Sequence, residues 1–519
     1  MSNKPPLRLQ RRVLTLALLS VMSVPAFAGA NCQLVDQTTG LPLPIDSTSP
    51  GSDSLACGPR AKAVGNRSVA EGDETTATGD NTTAIGSWID LDADGLVDAN
   101  EITWANGARA TAIGAAAQAL GAGTVAVGVQ SVATGANSVA IGNTAQTQSL
   151  NTTTTKTTVQ GTPNTVITTT TTTNGPASNQ SSIAIGNASR ANGNNDIAMG
   201  NGATVENTIN GVTATTTAGV TTMVQTTLSS PAQNAIAIGT SAKANGNNTV
   251  VIGNGARAES RVLTLINGFG STTPISVYTA GVATNSTVMG AGAVAQGTNS
   301  VVIGSGASTQ GDGFDATGTI LLKDQNDTVV GTGSATVRGW GSAFGYHAIA
   351  YGYGTTAIGT GTYAVGTGST AVGGWFDVNA AFGAAPTNTL PNGWAFGTNT
   401  PGLASQAFGA NARAWGNYDT ALGPAARTSD FDSSLGGASF YNSNDQKVIN
   451  GSIAAGFVAF AEGHASIALG QQSRAHDAFA VAIGSESVAW GIDSIALGDN
   501  AVSAWHEDIA IGANAQALG

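Results

Sequence analysis

The sequence is poor in charge, in aromatic residues and in cysteine. Only 10% of its 519 residues are charged, 5% are aromatic, and two are cysteines. Glu, Lys and Leu are too scarce for a long helical or coiled-coil protein. Collagen is excluded because glycine does not recur at every third position and proline is not abundant. A mean hydropathy of +0.07 argues against disorder over most of the chain.

Basic residues are also few. The chain has 19 Lys and Arg against 31 Asp and Glu, which gives a net charge of −12. No cluster of basic residues in the sequence offsets this acidity. We therefore expect no nucleic-acid partner.

The first 28 residues have the pattern of a secretory signal peptide. Lys4, Arg8, Arg11 and Arg12 precede an apolar run over residues 13–24, and a small-x-small sequence ends at Ala28. The apolar run is too short to span a bilayer as a mature helix. We expect residues 1–28 to be removed on export.

The two cysteines, Cys32 and Cys57, lie between this signal and the first repeats, in a segment over residues 29–60 that we interpret as an N-terminal cap. In an oxidising compartment the simplest interpretation is a disulfide that closes the cap. In the chain-entropy model such a loop contributes about 3 kcal/mol. Two free thiols or a bond between chains are the alternatives.

Glycine is abundant and regularly spaced. The 70 glycines make about 13% of the chain, roughly twice the usual ~7%. From residue 61 to residue 519 they recur every seven residues in runs, as at Gly121, Gly128, Gly135 and Gly142. An apolar half alternates with a plainer half, so the full unit is 14 residues. A short fixed period of this kind predicts a solenoid.

The apolar half has the alternation of a β-strand. Val139 and Ile141 point to one face, and Ser138 and Ala140 point to the other. One face should fill the narrow interior of each turn. Because many of the opposite positions are Ala, Thr or Ser, we expect small outer faces that let chains pack side by side.

Several segments resemble the head repeats of trimeric autotransporter adhesins, the YadA-like head. They are NSVAIGNTAQT (137–147), SSIAIGNASRANG (181–193), NSVVIGSGASTQG (299–311) and DSIALGDNAVS (493–503). The resemblance implies an all-β fold, a left-handed parallel β-roll of 14-residue repeats, and a homotrimer. It also implies display on the surface of a Gram-negative bacterium, where the head binds host extracellular matrix, host cells or sister bacteria.

The chain departs from the family pattern at two levels. Asp477 and Trp505 stand where the register expects glycine, so we expect altered corners there. The sequence up to Gly519 also has no heptads of a coiled-coil stalk and no strands of a C-terminal anchor. It resembles an adhesin passenger without its translocator, and a truncated or split protein is an alternative interpretation.

Interruptions of the repeat predict insertions, several of them β-hairpins rich in Thr and Val. They lie at about residues 87–106, 147–181, 203–234, 258–287, 312–340, 374–405 and 424–455. Such insertions could cover trimer seams or present ligand-binding edges, and passive surface decoration is the alternative.

Aromatic residues gather late in the chain, among them Trp340, Tyr346, Tyr351, Tyr353, Trp375, Phe376 and Trp394. We expect them to serve core or interface packing rather than to form a sugar- or peptide-binding face.

The insertion at 87–106 matches the calcium-loop pattern D-x-D-x-D-G-x5-E at every position. The expected oxygen ligands are Asp90, Asp92, Asp94, the carbonyl of Leu96, Asp98 and Glu101, and Gly95 would make the sharp turn. Too few residues flank the loop for the two helices of an EF-hand. We therefore predict a Ca²⁺ ion that holds the loop together rather than a sensor, with a solvated acidic turn as the alternative.

Catalytic motifs are missing. The sequence has no G-x-S-x-G, H-E-x-x-H or C-x-x-C, and no Lys follows a Gly. The four histidines, His347, His464, His476 and His506, share no ligand-like spacing. We expect neither an enzyme nor a small-molecule substrate.

The function we predict is that of an adhesin head. A self-associating structural or biofilm protein is the alternative. An ice-binding solenoid is disfavoured because the Thr tracts lie in the insertions.

Overall fold

A computed structural model describes residues 30–32, 46–148, 150–159, 165–174, 180–217, 220–268, 271–281, 283–309, 327–336, 339–374, 398–400, 403–428 and 451–519. The predicted signal peptide and most of the insertions at 374–405 and 424–455 lie outside these residues. The described part contains strands and turns and no helix. Accordingly, no described helix is long and apolar enough to cross a membrane.

The chain divides into two compact units, residues 1–150 with 174–204 and residues 151–173 with 205–519. Each unit is a solenoid-like repeat in which every turn contributes a three-residue strand to one parallel ladder and a two-residue strand to another. Val125, for example, pairs with Val139 fourteen residues later. The predicted all-β, parallel β-roll is thereby confirmed.

The three-residue strands of the first unit are β1 (Ala30–Cys32), β2 (Leu55–Cys57), β4 (Val69–Glu71), β6 (Thr83–Ile85), β8 (Thr111–Ile113), β10 (Val125–Val127), β12 (Val139–Ile141), β16 (Ile183–Ile185) and β19 (Ile197–Met199). Its two-residue strands are β3 (Lys62–Ala63), β5 (Thr76–Ala77), β7 (Trp104–Ala105), β9 (Gln118–Ala119), β11 (Val132–Ala133), β13 (Gln146–Thr147), β17 (Arg190–Ala191), β18 (Gly193–Asn194) and β20 (Thr204–Val205), at which the unit ends.

The three-residue strands of the second unit are β24 (Ile236–Ile238), β26 (Val250–Ile252), β30 (Thr287–Met289), β32 (Val301–Ile303), β34 (Thr328–Val330), β36 (Ser342–Phe344), β38 (Thr356–Ile358), β40 (Thr370–Val372), β42 (Gln406–Phe408), β44 (Thr420–Leu422), β46 (Ile453–Ala455), β48 (Ile467–Leu469), β50 (Val481–Ile483), β52 (Ile495–Leu497) and β54 (Ile509–Ile511). Its two-residue strands are β23 (Ala232–Gln233), β25 (Lys243–Ala244), β27 (Arg257–Ala258), β31 (Val294–Ala295), β33 (Ser308–Thr309), β35 (Ala335–Thr336), β37 (Ile349–Ala350), β39 (Tyr363–Ala364), β41 (Asn399–Thr400), β43 (Arg413–Ala414), β45 (Arg427–Thr428), β47 (Phe460–Ala461), β49 (Arg474–Ala475), β51 (Val488–Ala489), β53 (Val502–Ser503) and β55 (Gln516–Ala517).

The interior of the turns is filled by alanine, serine and threonine, and in several turns of the second unit by valine, as at Val251. Ala133 and Ala140 are fully buried, as are the alanines at the same positions of most other turns. Many buried hydroxyl groups are satisfied locally; Thr124 Oγ1, for example, donates a hydrogen bond to the carbonyl of Gly121 at 2.7 Å. The space between the two ladders therefore accommodates side chains no larger than valine at these positions.

The expectation of small outer faces is wrong. Ile141 is 37% exposed although it stands next to the buried Ala140, and Val139 also faces outward. The large aliphatic residues cover the outside of the three-residue ladder because the interior is too narrow for them. The third residue of most three-residue strands thus makes the outer face apolar and bulky, whereas the outward first residue is threonine in several turns, as at Thr356.

Consecutive corners approach each other very closely. Gly114 has a φ of 122°, and a Cβ added there would lie 2.7 Å from the carbonyl oxygen of Gly128 in the next turn. No L-residue adopts this conformation without strain, and none has room for its Cβ. Glycine is therefore required at this corner. The ladders run without a break past Asp477 and Trp505, since β48, β50, β52 and β54 pair in register.

Three insertions form antiparallel hairpin strands, as the Thr- and Val-rich runs predict. They are β14 (Leu150–Val159) with β15 (Thr165–Asn174), β21 (Asn207–Thr217) with β22 (Val220–Ser230), and β28 (Ser260–Gly268) with β29 (Ser271–Gly281). The first two hairpins join in one four-stranded sheet in the order β15-β14-β22-β21, where Thr152 pairs with Ser229. In the region expected to be an insertion at 312–340, β34 and β35 are instead roll strands. Residues 310–326 lie outside the described part.

Candidate functional sites

The loop between β6 and β7 holds the predicted calcium ligands. Asp90, Asp92 and Asp94 each offer a carboxylate oxygen, and these oxygens lie within 4.8 Å of one another. Backbone amides organise the three side chains: Gly95 N–H donates to Asp90 Oδ2 at 3.0 Å and Leu96 N–H donates to Asp94 Oδ1 at 2.7 Å. Asp90 Oδ1 is shielded from solvent and has no hydrogen-bond partner among the described residues.

Glu101 has a different position in this loop. Its side chain is only 1% exposed. The carboxylate accepts hydrogen bonds from the backbone N–H groups of Leu91 at 2.6 Å and Asp98 at 3.0 Å. Glu101 therefore ties the two ends of the loop together, while Asp98 is exposed. The three aspartates that the sequence predicts are brought together, and Glu101 is turned to the backbone.

The two cysteines lie side by side. Cys32 pairs with Cys57 in the parallel register of β1 and β2, so both side chains extend from the same face. The thiols are not joined in the structure. A hydrogen bond to Cys32, together with burial, raises the pKa of the Cys57 thiol to about 11.

A row of mostly apolar side chains, which Glu71 interrupts in the first unit, follows the outside of each three-residue ladder. We call the third residues of these strands the lateral stripe; each is exposed or half-buried and lies in register with the next. In the second unit they are Ile238, Ile252, Met289, Ile303, Val330, Phe344, Ile358, Val372, Phe408, Leu422, Ala455, Leu469, Ile483, Leu497 and Ile511. Apolar rows of this length are rarely left in water by a soluble protein and usually mark an interaction surface. The 14-residue register is the sequence signal that could have identified it.

The late aromatic residues are largely on the surface. Trp340 is 67% exposed, and Tyr346 and Tyr351 are exposed as well. The prediction of core packing is therefore wrong for these three residues, whereas their packing at an interface between chains stays a prediction. Trp375, Phe376 and Trp394 lie outside the described residues.

The histidines do not form a catalytic or metal-binding group. In the part of the chain that the structure describes, the aspartates of the β6–β7 loop are the only cluster of side chains suited to a metal. His476 Nδ1 lies 2.6 Å from Glu462 Oε2, and this contact lowers the pKa of the Glu462 carboxyl. His506 Nδ1 lies 2.7 Å from the carbonyl oxygen of Ile492, which raises the pKa of that imidazole.

A parallel roll of short repeats with an apolar lateral stripe defines a structural β-solenoid. The family model for the YadA head domain repeat matches the chain in thirteen places that together cover more than half of its residues: 49–75, 72–87, 105–129, 119–145, 177–203, 231–256, 283–307, 341–362, 350–374, 402–426, 450–473, 461–487 and 478–501. The chain belongs to this family of adhesin heads, which is not a family of enzymes. No curated protein matches the chain significantly.

Proposed function

We propose that this chain is the head of a trimeric adhesin that is exported, displayed on the surface of a Gram-negative bacterium, and used for attachment to host extracellular matrix or cells and to sister bacteria. The lateral stripe carries the proposal, because a long row of mostly apolar side chains suits burial against other copies of the same roll. Three copies would present every ligand contact three times, so weak contacts would add through avidity.

Attachment is tested by fusing the head to a competent anchor on a non-adherent bacterium. We expect these cells to bind collagen, fibronectin or epithelial cells, and to aggregate with one another. Aggregation without attachment to any host component would favour the self-associating biofilm protein instead. Cells that display the head and neither attach nor aggregate would contradict the adhesin proposal.

The trimer is tested by sedimentation equilibrium of the protein without residues 1–28. We expect three times the monomer mass. Ile303→Asn/Ile358→Asn, which places two amides in the lateral stripe, should lower the apparent mass towards that of the monomer. Val294→Asn, on the outside of the two-residue ladder, is the matched control and should leave the mass unchanged. A wild-type monomer would contradict the proposal.

We also propose that the β6–β7 loop binds one Ca²⁺ ion as a structural staple. The fit is supported by the all-oxygen donor set and by the unpartnered, shielded Asp90 Oδ1, which is the kind of atom that a hard cation satisfies. Asp90, Asp92 and Asp94 would hold the ion, with the carbonyl of Leu96, Asp98 and Glu101 as the further ligands that the loop pattern assigns. The bound cation would offset the mutual repulsion of these carboxylates.

Calorimetric titration with calcium tests this loop. We expect one binding event in the wild type and none in Asp92→Asn/Asp94→Asn, which removes two charges while leaving the hydrogen bonds of Glu101 intact. Asp493→Asn/Asp499→Asn changes two exposed aspartates elsewhere and should titrate like the wild type. Identical traces for all three proteins would end the calcium proposal.

The register of Cys32 and Cys57 supports a disulfide in the exported protein. Adjacent strands are about 4.8 Å apart, a separation compatible with the Cα distances of disulfides. Alkylation of the exported protein without reductant should leave its mass unchanged. A mass increase of two alkyl groups per chain would mean that both thiols are free, and a reducible dimer would mean a bond between chains.

A further inference from the structure

Three arginines and a phenylalanine follow one another on the outside of the two-residue ladder in the second unit, and the first, Arg413, pairs in register with Arg427. Arg427, Phe460 and Arg474 occupy the same outward position of β45, β47 and β49. The Cζ atoms of Arg427 and Arg474 lie 5.6 and 5.3 Å from the centroid of the Phe460 ring. Because successive strands are about 4.8 Å apart, both guanidinium groups are held against one ring as cation–π pairs.

Neither guanidinium group forms an ion pair within 4.0 Å with a described carboxylate, although Glu462 is near enough to Arg474 for that positive charge to help lower the Glu462 pKa. Arg427 Nε is shielded from solvent and has no hydrogen-bond partner among the described residues. The neighbouring acid, Glu462, is engaged by His476 at 2.6 Å.

An earlier part of the same ladder shows the contrasting arrangement. Lys243 and Arg257 occupy the equivalent outward positions of β25 and β27. Both share Glu259, at 3.5 Å from Lys243 Nζ and 3.7 Å from Arg257 Nη1. The ladder can therefore supply a carboxylate in ion-pair contact with adjacent cations, as it does for this pair, whereas Glu462 acts on Arg474 only from a longer distance.

The local charge is placed where water solvates it poorly. Burial lowers the pKa of the Arg427 guanidinium, which reflects the cost of keeping this charge partly out of water. A bound anion would offset that cost. The chain as a whole carries a net charge of −12, so an anion gains nothing from the overall field and would need this local surface.

An exposed indole lies on the turn that follows Arg474. The ring of His476 is stacked on that of Trp490, with centroids 3.9 Å apart and planes inclined by 4°. These residues follow β49 and β51 by one position, and Trp490 is 47% exposed. The stack fixes the indole, so one flat apolar ring is presented to solvent one turn away from the strand that carries Arg474.

We propose that Arg427, Phe460, Arg474, His476 and Trp490, here called the Arg–aromatic surface, bind an acidic polysaccharide. Carboxylate or sulfate groups would accept hydrogen bonds from the two guanidinium groups, and a sugar ring would lie on the exposed face of Trp490. This inference rests on the proposed adhesin function, whose ligand class it names. An acidic polysaccharide fits better than a neutral one because neither guanidinium group has a described carboxylate within 4.0 Å.

The test uses the whole protein without residues 1–28 and three immobilised polysaccharides: heparin, which is sulfated; hyaluronan, which is carboxylated; and dextran, which is neutral. We expect binding to heparin, hyaluronan or both, and none to dextran. Arg427→Gln/Arg474→Gln should weaken this binding by about tenfold or more, since each charge-assisted hydrogen bond is strong. Trp490→Ala should weaken it without reducing its dependence on salt.

Lys243→Gln/Arg257→Gln is the matched control, because it removes the same number of cations from equivalent positions of the same ladder. It should bind like the wild type, and circular dichroism should show that every variant is folded. An equal loss of binding in this control would mean that binding depends only on net charge, and it would overturn the proposal. So would a wild type that binds neither acidic polymer.

Asp430 and Asp432 follow β45 closely in sequence, which gives a second way to refute the site. If acidic polysaccharide binds the Asp430→Asn/Asp432→Asn variant and not the wild type, the two arginines are paired with these aspartates of the same chain. That result would overturn the proposal. A displayed head that adheres to cells while binding no acidic polysaccharide would overturn this inference and leave the adhesin function in place.

Discussion

Ala140 and Ile141 are consecutive residues of β12 on opposite sides of the roll wall, the alanine fully buried and the isoleucine 37% exposed. The smaller side chain is the one inside. This arrangement makes the interior intolerant of volume and leaves the aliphatic residue available for contacts between chains.

Ala140→Leu should therefore destabilise the roll by at least ~1–3 kcal/mol, because an overpacked interior forces the backbone or neighbouring side chains to move. Ile141→Thr should change the free energy of unfolding much less under conditions where the chain is monomeric. Urea unfolding followed by circular dichroism compares the two. Equal destabilisation would mean that Ile141 is packed inside the roll.

Substitution of a corner glycine tests the close approach of successive turns. Gly114→Ala should cost about 1–3 kcal/mol from the strained φ alone, and more because its Cβ would meet the carbonyl oxygen of Gly128. Gly255 has a φ of 65° and no atom within 4 Å of an added Cβ, so Gly255→Ala is the control for backbone strain without a clash. The urea midpoint of each variant, compared with that of the wild type, gives the stability that each substitution costs. Equal midpoints for the two variants would contradict the steric argument.

Glu101 should stabilise its loop whether or not calcium is present. Glu101→Ala leaves the amides of Leu91 and Asp98 without their acceptor, and we expect a loss of about 1–3 kcal/mol. The measurement is thermal unfolding in excess chelator. Asp92→Asn, at an exposed carboxylate, is the control and should lose little stability in chelator. A Glu101→Ala variant as stable as the wild type would mean that the carboxylate acts only through a bound ion.

The Glu462–His476 contact predicts a pH dependence of stability. Because the contact lowers the pKa of Glu462 in the folded state, its contribution is present above the unfolded pKa of about 4.3 and is lost as the pH falls through the lower folded pKa. The difference in unfolding free energy between the wild type and Glu462→Gln should thus be largest above about pH 5 and shrink in acid. Glu486→Gln, at an exposed corner, provides the comparison. A difference that grows in acid would reverse the sign of this argument.

The period, the strands and the family could all be predicted from the sequence, because glycine is confined to the corners and alternation is local. The sequence could not predict which side of each strand faces the interior of the roll. Val139 and Ile141 alternate with Ser138 and Ala140 in either orientation, and only the narrow separation of the two ladders decides which set fits inside.

The loops show the same division between local and distant interactions. Thr- and Val-rich runs predict hairpins, but the pairing of Thr152 with Ser229 joins two insertions that are far apart in sequence. The spacing of Asp90, Asp92 and Asp94 predicts that they converge, and they do. The pattern could not show that Glu101 accepts two backbone hydrogen bonds, since these depend on how the loop closes.

The contact between one corner glycine and the carbonyl oxygen of the next has an evolutionary consequence. A point substitution at Gly114 meets both strain and a clash, whereas duplication or deletion of a whole 14-residue repeat restores the same contact between new neighbours. The number of turns in such a chain can thus change by recombination between repeats, while the residue at each corner hardly changes at all.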